Sequence, residues 1–202
     1  WAVFENEMKW AWTEKKQGKV TYAEADELCN FCIDHGIRMR GHCIFWEAED
    51  AVQQWVKELD CNELGIAMQS RLIDVVSRFS GRFEHYDVNN EMLHGSFYKD
   101  RLGEHILSYM FELVRQFDPQ TKLFVNDYHV IDGMDAKSSP EKYINQIKSL
   151  QEKGAIIDGI GIQGHVACPV GSIISSALDK LAMLGIPIWF TEVDVESSNE
   201  FL

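Results

Sequence analysis

The chain has 202 residues, 46% of them hydrophobic and 25% charged, with a formal net charge of −13. That length and balance suit one globular domain over residues 1–202, large enough to bury most of its apolar surface. The charge argues against phosphate backbones, and so against nucleic acid, while a neutral polymer such as a polysaccharide meets no such barrier.

Trp1–Phe4 is an apolar run that reads as the end of a strand, followed by the polar stretch Glu5-Asn6-Glu7-Met8-Lys9-Trp10. A helix is predicted from Thr21, where Thr21 and Glu24 fit a capping box, to Gly36. Its apolar face is Ala25, Leu28, Cys29, Cys32 and Ile33, at helical spacing. Ile37–Trp46 reads as a strand, and Glu47–Asp60 as a loop with a short helix near Val52–Glu58. Asn62–Phe79 is a long helix with Ile66, Leu72, Ile73, Val76 and Phe79 on its buried side. Phe83–Asn89 is a strand, with a loop from Glu91 to Gly103 and a helix from Glu104 to Phe117, stopped before Pro119. Lys122–Asn126 is a strand. Ser139-Pro140-Glu141 then starts a helix, with a hydroxyl cap, proline in the first position and an acid in the first turn. That helix ends at Gly154, the strand Ile156–Gln163 follows, and the helix Val170–Leu184 leads to the last strand, Ile186–Thr191.

The five cysteines are Cys29, Cys32, Cys43, Cys61 and Cys168, so at least one thiol is free unless it pairs between chains. Cys29 and Cys32 form a C-x-x-C pattern inside an amphipathic helix, where packing on one face is the expected role. No apolar run is long enough to cross a membrane. With no initiator Met at its start, the chain reads as a piece of a longer protein, so a missing signal peptide says nothing about compartment.

Six strands alternate with helices, which implies parallel strands joined by helical crossovers. Runs such as Ile186–Phe190 are almost continuously apolar, as in strands buried on both faces. The order fits either an open doubly wound sheet or part of an eight-stranded barrel. Gly159-Ile160-Gly161-Ile162-Gln163-Gly164 imitates a phosphate loop but lies within a strand with no helix start behind it. A barrel instead puts functional residues at the C-terminal ends of several strands. Here those ends carry Glu5-Asn6, His42 and Trp46, Asn90-Glu91, Asn126-Asp127-Tyr128, Gln163 and His165, and Glu192 and Asp194. Singly, each reads as a loop cap or surface group. Six sets at six strand ends read together as a site.

Two strands deliver a lone glutamate each, Glu91 and Glu192. Glycoside cleavage needs that pair: one carboxyl kept protonated for the leaving oxygen, the other ionised to attack carbon or activate water. His165 is placed to hold the second glutamate ionised.

The segments Glu5–Trp10, Gly41-His42-Cys43-Ile44-Phe45-Trp46, Asp87-Val88-Asn89-Asn90-Glu91, Asn126-Asp127-Tyr128, Gln163-Gly164-His165 and Thr191-Glu192-Val193-Asp194 resemble glycoside hydrolase family 10, and most of all its plant branch. Members are mostly endo-1,4-beta-xylanases built on a (β/α)8 TIM barrel. The resemblance implies an α/β incomplete barrel of about six strands, beginning near the second barrel strand and ending just after the seventh. It implies that Glu91 is the general acid/base and Glu192 the nucleophile of a retaining double displacement. Asn90 would contact the sugar bound to the nucleophile, and Glu5, Asn6 and Lys9 the next sugar on the non-reducing side. His42, Trp46, Tyr128 and Gln163 would line the cleft, while His165 and Asp194 orient Glu192. No metal or organic cofactor is implied; the implied partner is xylan, and the implied location is secreted, at the cell wall. Two features depart from the family. Glu47 stands where a His often follows the Trp, an extra carboxylate near the cleft. The cleft-closing Trp of the eighth strand has no counterpart. The alternative function is a catalytically silent relative that binds polysaccharide or inhibits another protein.

Overall fold

The computed structural model describes residues 1–194, so positions 195–202 of the expected domain lie outside them. Its elements are β1 (Ala2–Val3), α1 (Trp10–Thr13), α2 (Ala23–Asp34), β2 (Met39–Gly41), β3 (Phe45–Trp46), α3 (Gln54–Lys57), α4 (Cys61–Phe79), β4 (His85–Asn90), α5 (Phe97–Leu102), α6 (His105–Phe117), β5 (Lys122–Asp127), α7 (Pro140–Glu152), β6 (Gly159–His165), α8 (Gly171–Ala182) and β7 (Ile188–Asp194). The strands are all parallel, in the order β1-β2-β4-β5-β6-β7, with β3 added beside the end of β4. The expected Ile37–Trp46 strand is thus two short pieces, separated by His42-Cys43-Ile44, and the His42-Cys43 peptide bond is cis.

The sheet curls strongly. Arg40 on β2 reaches across to the Thr191 carbonyl on β7 at 3.4 Å. At the other end of the strands Trp1 and Trp189 meet edge to face with ring centroids 4.8 Å apart. His85 and Phe124, stacked at 4.1 Å, fill the space between. Burial pushes the His85 imidazole down to about 4, so it is a neutral ring within an aromatic plug. The glycines of the Gly159–Gly164 run make room for this filling: a β-carbon at Gly159 would overlap the Phe124 ring, and one at Gly161 would meet Asn126. That is the structural reason for a run that imitates a phosphate loop. Together these contacts describe a curled half-barrel of six strands, an incomplete (β/α)8 barrel with β1 and β7 as its two edges among the described residues.

Helices cover the outer face. Leu72, Val75, Val76 and Phe79 of α4 are fully buried, each contributing about 1.5–3 kcal/mol by leaving water. Asp60 and Glu63 form the capping box of that helix at 2.9 and 3.1 Å, one residue earlier than the expected start. Ser139 caps α7 as expected, accepting from the Lys142 N–H at 3.2 Å, with Pro140 in the first turn. The expected Thr21–Glu24 box is not formed: α2 begins after Tyr22, and the Glu24 carboxylate accepts instead from the Trp12 indole at 2.5 Å. Ala25, Cys29 and Cys32 are buried, but Leu28, Ile33, Ile66 and Ile73 are exposed. The buried stripes of α2 and α4 are narrower than the apolar pattern suggested. All five cysteines are free thiols, and burial pushes that of Cys29 up to about 11.

The stretch expected as loop from Glu91 to Gly103 contains α5. Its first turn is held by Glu47: the Glu47 carbonyl accepts from the Phe97 N–H at 3.0 Å, and its carboxylate from the Lys99 N–H at 2.9 Å. Glu47 is 0% exposed and also accepts from Asn89 at 2.7 Å. The extra carboxylate is therefore turned into the protein rather than towards a sugar, and burial raises its pKa against the opposing Asn89 and backbone donors. Gly95, in the turn before α5, rests on the Glu47 backbone with no room for a β-carbon. Among the described residues no helix is long and apolar enough to cross a membrane.

Candidate active site

The polar strand ends gather at the open mouth of the half-barrel. Register breaks just before each glutamate: β4 carries an extra residue against β5 between Asp87 and Asn90, and β7 carries one against β6 between Phe190 and Glu192. Such irregularities re-aim side chains at a strand end. Glu91 follows β4 with a φ of 60°, a left-handed conformation that costs a non-glycine residue about 1–3 kcal/mol and persists only where its surroundings enforce it. The enforcing bonds run from the N–H groups of His94 and Gly95 to the Glu91 carbonyl, at 3.1 and 2.9 Å.

The Glu91 carboxylate accepts from the Trp46 indole N–H at 2.7 Å and the Gln163 amide at 3.2 Å. Burial raises its pKa, and those two donors oppose the rise without cancelling it. Glu192, on β7, accepts from Asn126 Nδ2 at 3.1 Å and from Arg40 at 3.4 Å, and lies 3.2 Å from His165 Nε2. The other nitrogen of His165 faces Asp194. A ring with a carboxylate at each nitrogen donates to both only as imidazolium. Burial disfavours that form, but Asp194 and Glu192 outweigh it and raise the pKa of His165.

A chain of amides joins the two carboxylates. Asn90 Oδ1 accepts from Asn126 at 2.9 Å and from Gln163 at 3.4 Å. Asn126 Oδ1 accepts from Thr191 at 2.5 Å. These partners fix the amide orientations: Asn90 Oδ1 faces inward, and its buried Nδ2 is a donor without a partner.

Beneath this layer Asp87, 0% exposed, bonds to Arg40 and lies 2.8 Å from His42 Nδ1. Burial alone would raise the Asp87 pKa, but the Arg40 charge and His42 hold it at about 2. Lys9 donates to Asn6 at 3.2 Å and sits 4.9 Å from the centre of the Trp46 ring. Tyr128 stands apart from the amide chain and stacks on His94 at 3.6 Å. Glu5 is exposed, and its carboxylate bonds to none of the described residues.

Of the predicted residues, the structure therefore joins Glu91, Trp46, Gln163, Asn90, Glu192, His165 and Asp194 by bonds. Asn6 and Lys9 are tied to the cluster through Trp46, and His42 through Asp87 and Arg40. Tyr128 is brought in only through His94, and Glu5 not at all. Sequence reasoning gave no role to Arg40, Asp87, Asn126 or His94. The available signal for Arg40 was its i, i+2 spacing from His42, which puts both on one face of β2. Among the described residues no three His, Cys, Asp or Glu side chains form a set able to hold a metal ion. A groove of about 750 Å³ lies elsewhere, between α4 and the Glu14–Tyr22 segment, and none of the site residues lines it. Glu192, His165 and Asp194 reach solvent while Asn90, Asn126 and Gln163 are buried, and the cluster is recognised by its bonding pattern.

Comparison with known proteins gives the same picture over nearly the whole chain. Residues 2–201 match glycosyl hydrolase family 10. Endo-1,4-beta-xylanase 1 of Arabidopsis thaliana is 58% identical over 202 residues, 100% of this chain and 21% of the relative. Anti-sigma-I factor RsgI6 of Acetivibrio thermocellus is 44% identical, over 100% of this chain and 26% of that protein. The chain thus spans about a fifth to a quarter of the length of these relatives. Among solved structures, a variant of the intracellular xylanase TsXylA of Thermoanaerobacterium saccharolyticum, in complex with xylotriose, superposes with a TM-score of 0.87 at 26% identity, covering 98% of this chain and 67% of that one. The curled sheet, the paired glutamates and these matches agree, and the chain belongs to glycosyl hydrolase family 10.

Proposed function

We propose that this chain carries the catalytic centre of a retaining endo-1,4-beta-xylanase acting on xylan at the plant cell wall. One observation carries the reading: two glutamates at the ends of β4 and β7 share one amide chain yet sit in different environments. Burial favours a protonated Glu91, whereas three donors surround Glu192. That asymmetry is what acid and nucleophile require.

In the first step Glu91 gives its proton to the glycosidic oxygen as a Glu192 oxygen attacks the anomeric carbon. The glycosidic bond breaks, the aglycone leaves with a new hydroxyl, and the sugar is held as an ester on Glu192. In the second step Glu91, now ionised, takes a proton from water as the water oxygen attacks the same carbon. Glu192 is released as carboxylate and Glu91 is protonated again. Asn90, in the amide chain between the two carboxylates, is the residue assigned to the sugar on Glu192. His165, held by Asp194, faces the Glu192 carboxylate and orients it. Asn6 and Lys9 take the neighbouring sugar with Glu5. Nδ1 of His42 is committed to Asp87, which leaves Nε2 for a sugar hydroxyl.

The test is reducing-end release from xylan by the full-length protein. Glu192→Gln and Glu91→Ala are each expected to lower kcat about 10²–10⁴-fold or more. Wild-type turnover in either variant would remove the role assigned to that residue. The 44% identical relative bears the name of an anti-sigma factor, which keeps a binding-only reading alive. Xylan binding without reducing-end release by the unaltered protein would favour it.

A further inference from the structure

His94 has no part in the proposed chemistry, yet it ties together three pieces of the site's rim. Its backbone N–H donates to the Glu91 carbonyl at 3.1 Å. Its Nδ1 lies 2.6 Å from Asp127 Oδ1, at the end of β5. Its ring lies flat against that of Tyr128, with centroids 3.6 Å apart and an interplanar angle of 13°. The clamp closes in both directions, because the second oxygen of Asp127 accepts from the Leu93 N–H at 2.7 Å. Oδ1 of Asp127 also accepts from the Tyr128 N–H at 3.0 Å. The His94 and Asp127 side chains are only 5% and 1% exposed, whereas Tyr128 is partly open to solvent. One face of the Tyr128 ring is therefore covered by a fixed imidazole, and the ring's remaining exposure is what a ligand meets.

We propose that His94 is a positioning residue for polysaccharide binding: it backs the Tyr128 ring as a rigid platform for a sugar and locks that platform to the turn bearing Glu91. A loop tyrosine that had to be ordered by each incoming sugar would lose affinity to the cost of ordering, and a pre-stacked ring avoids that cost. The proposal rests on Tyr128 lining the cleft.

A double-mutant cycle tests it in the full-length protein. His94→Asn keeps an amide donor for Asp127 but removes the ring; Tyr128→Ala removes the platform; the third variant carries both. Binding of a linear β-1,4-xylohexaose is measured by calorimetry in a Glu192→Gln background, and KM and kcat are measured with Glu192 intact. His94→Asn is expected to raise Kd and KM roughly threefold to tenfold while kcat stays within about twofold, and to add nothing once Tyr128→Ala is present. His94→Phe, which keeps a ring for stacking but loses the bond to Asp127, should bind more weakly than the unaltered protein and more tightly than Tyr128→Ala. Effects that multiply in the double variant, a fall in kcat at unchanged KM, or His94→Phe binding as weakly as Tyr128→Ala would each overturn the proposal. The binding arm needs no turnover. Failure to release reducing ends therefore counts against the hydrolase reading alone, and failure to bind the oligosaccharide counts against both.

Discussion

β4 and β7 each present a glutamate at the same end of the sheet, but different forces hold them there. Every residue of β4 is buried, and β2, β3 and β5 flank it. Among the described residues β7 is flanked only by β6 and has a mostly part-exposed pattern; Phe190 is 46% and Val193 58% exposed. Glu91 is thus aimed by packing and by an enforced left-handed turn. Glu192 is aimed by polar bonds that arrive from β2, β5 and β6. Packing is indifferent to pH and to the charge of its members, whereas a bonded carboxylate depends on both. The acid is set by its burial, and the nucleophile by its partners.

The largest effect is expected from the residue that binds β7 across the sheet. Arg40→Leu removes a donor to Glu192 and leaves Asp87 charged and fully buried without its main partner, a loss of about 3–5 kcal/mol that urea unfolding would measure. The pH dependence follows with a definite sign. Asp87 is held at about 2, below its unfolded value of about 3.9. Its contribution is therefore complete above the unfolded value and is lost as pH falls through the folded one. An Arg40→Leu protein should lose that acid-limb dependence. Next comes Glu47→Gln, on the β4 side. One amide oxygen cannot serve both Asn89 and the Lys99 N–H, and a buried donor left without a partner costs about 1–3 kcal/mol; the melting temperature should fall while kcat is nearly kept. If Glu47→Gln unfolded the protein and Arg40→Leu were silent, the two kinds of support would belong to the opposite strands. The smallest effect is a displacement rather than a loss. Trp46→Phe removes a donor that stabilises ionised Glu91. Its pKa then rises further, the acid form survives to higher pH, and the alkaline limb of kcat/KM moves upward. An unmoved limb would take Glu91 out of the acid's role.

Much of this architecture was legible because it is written locally. Ser139-Pro140 announces a helix, and alternating apolar runs and helices announce parallel strands. Polar residues stand at strand ends because only there does a barrel need them. What escaped notice is written across the sequence. α5 is capped by Glu47, 52 residues away from Lys99, so the stretch before it looked like loop. Arg40 reads as a surface charge until Asp87 and Glu192 stand opposite it. Asn126 sits in a motif that was seen, but its role comes from Asn90 and Thr191, which only the curl brings near. His94 escaped because its partners, Asp127 and Tyr128, lie at the end of β5 and just beyond it. Leu28, Ile33, Ile66 and Ile73 erred the other way: helical spacing marks a face, and only the neighbouring element decides how wide a face is covered.

The contact of Gly95 with the Glu47 backbone sets how this site can change. Main chain lies directly on main chain there, so position 95 has almost no mutational freedom, and the turn behind Glu91 cannot be remodelled by substitution at that point. Tyr128 meets His94 and His129 through side chains alone and is partly open to solvent, so a new side chain would meet less resistance there. Variation in what the cleft accepts should therefore accumulate on the β5 side of Glu91 and be nearly silent on the β3 side, both in natural relatives and in a selection for altered substrates.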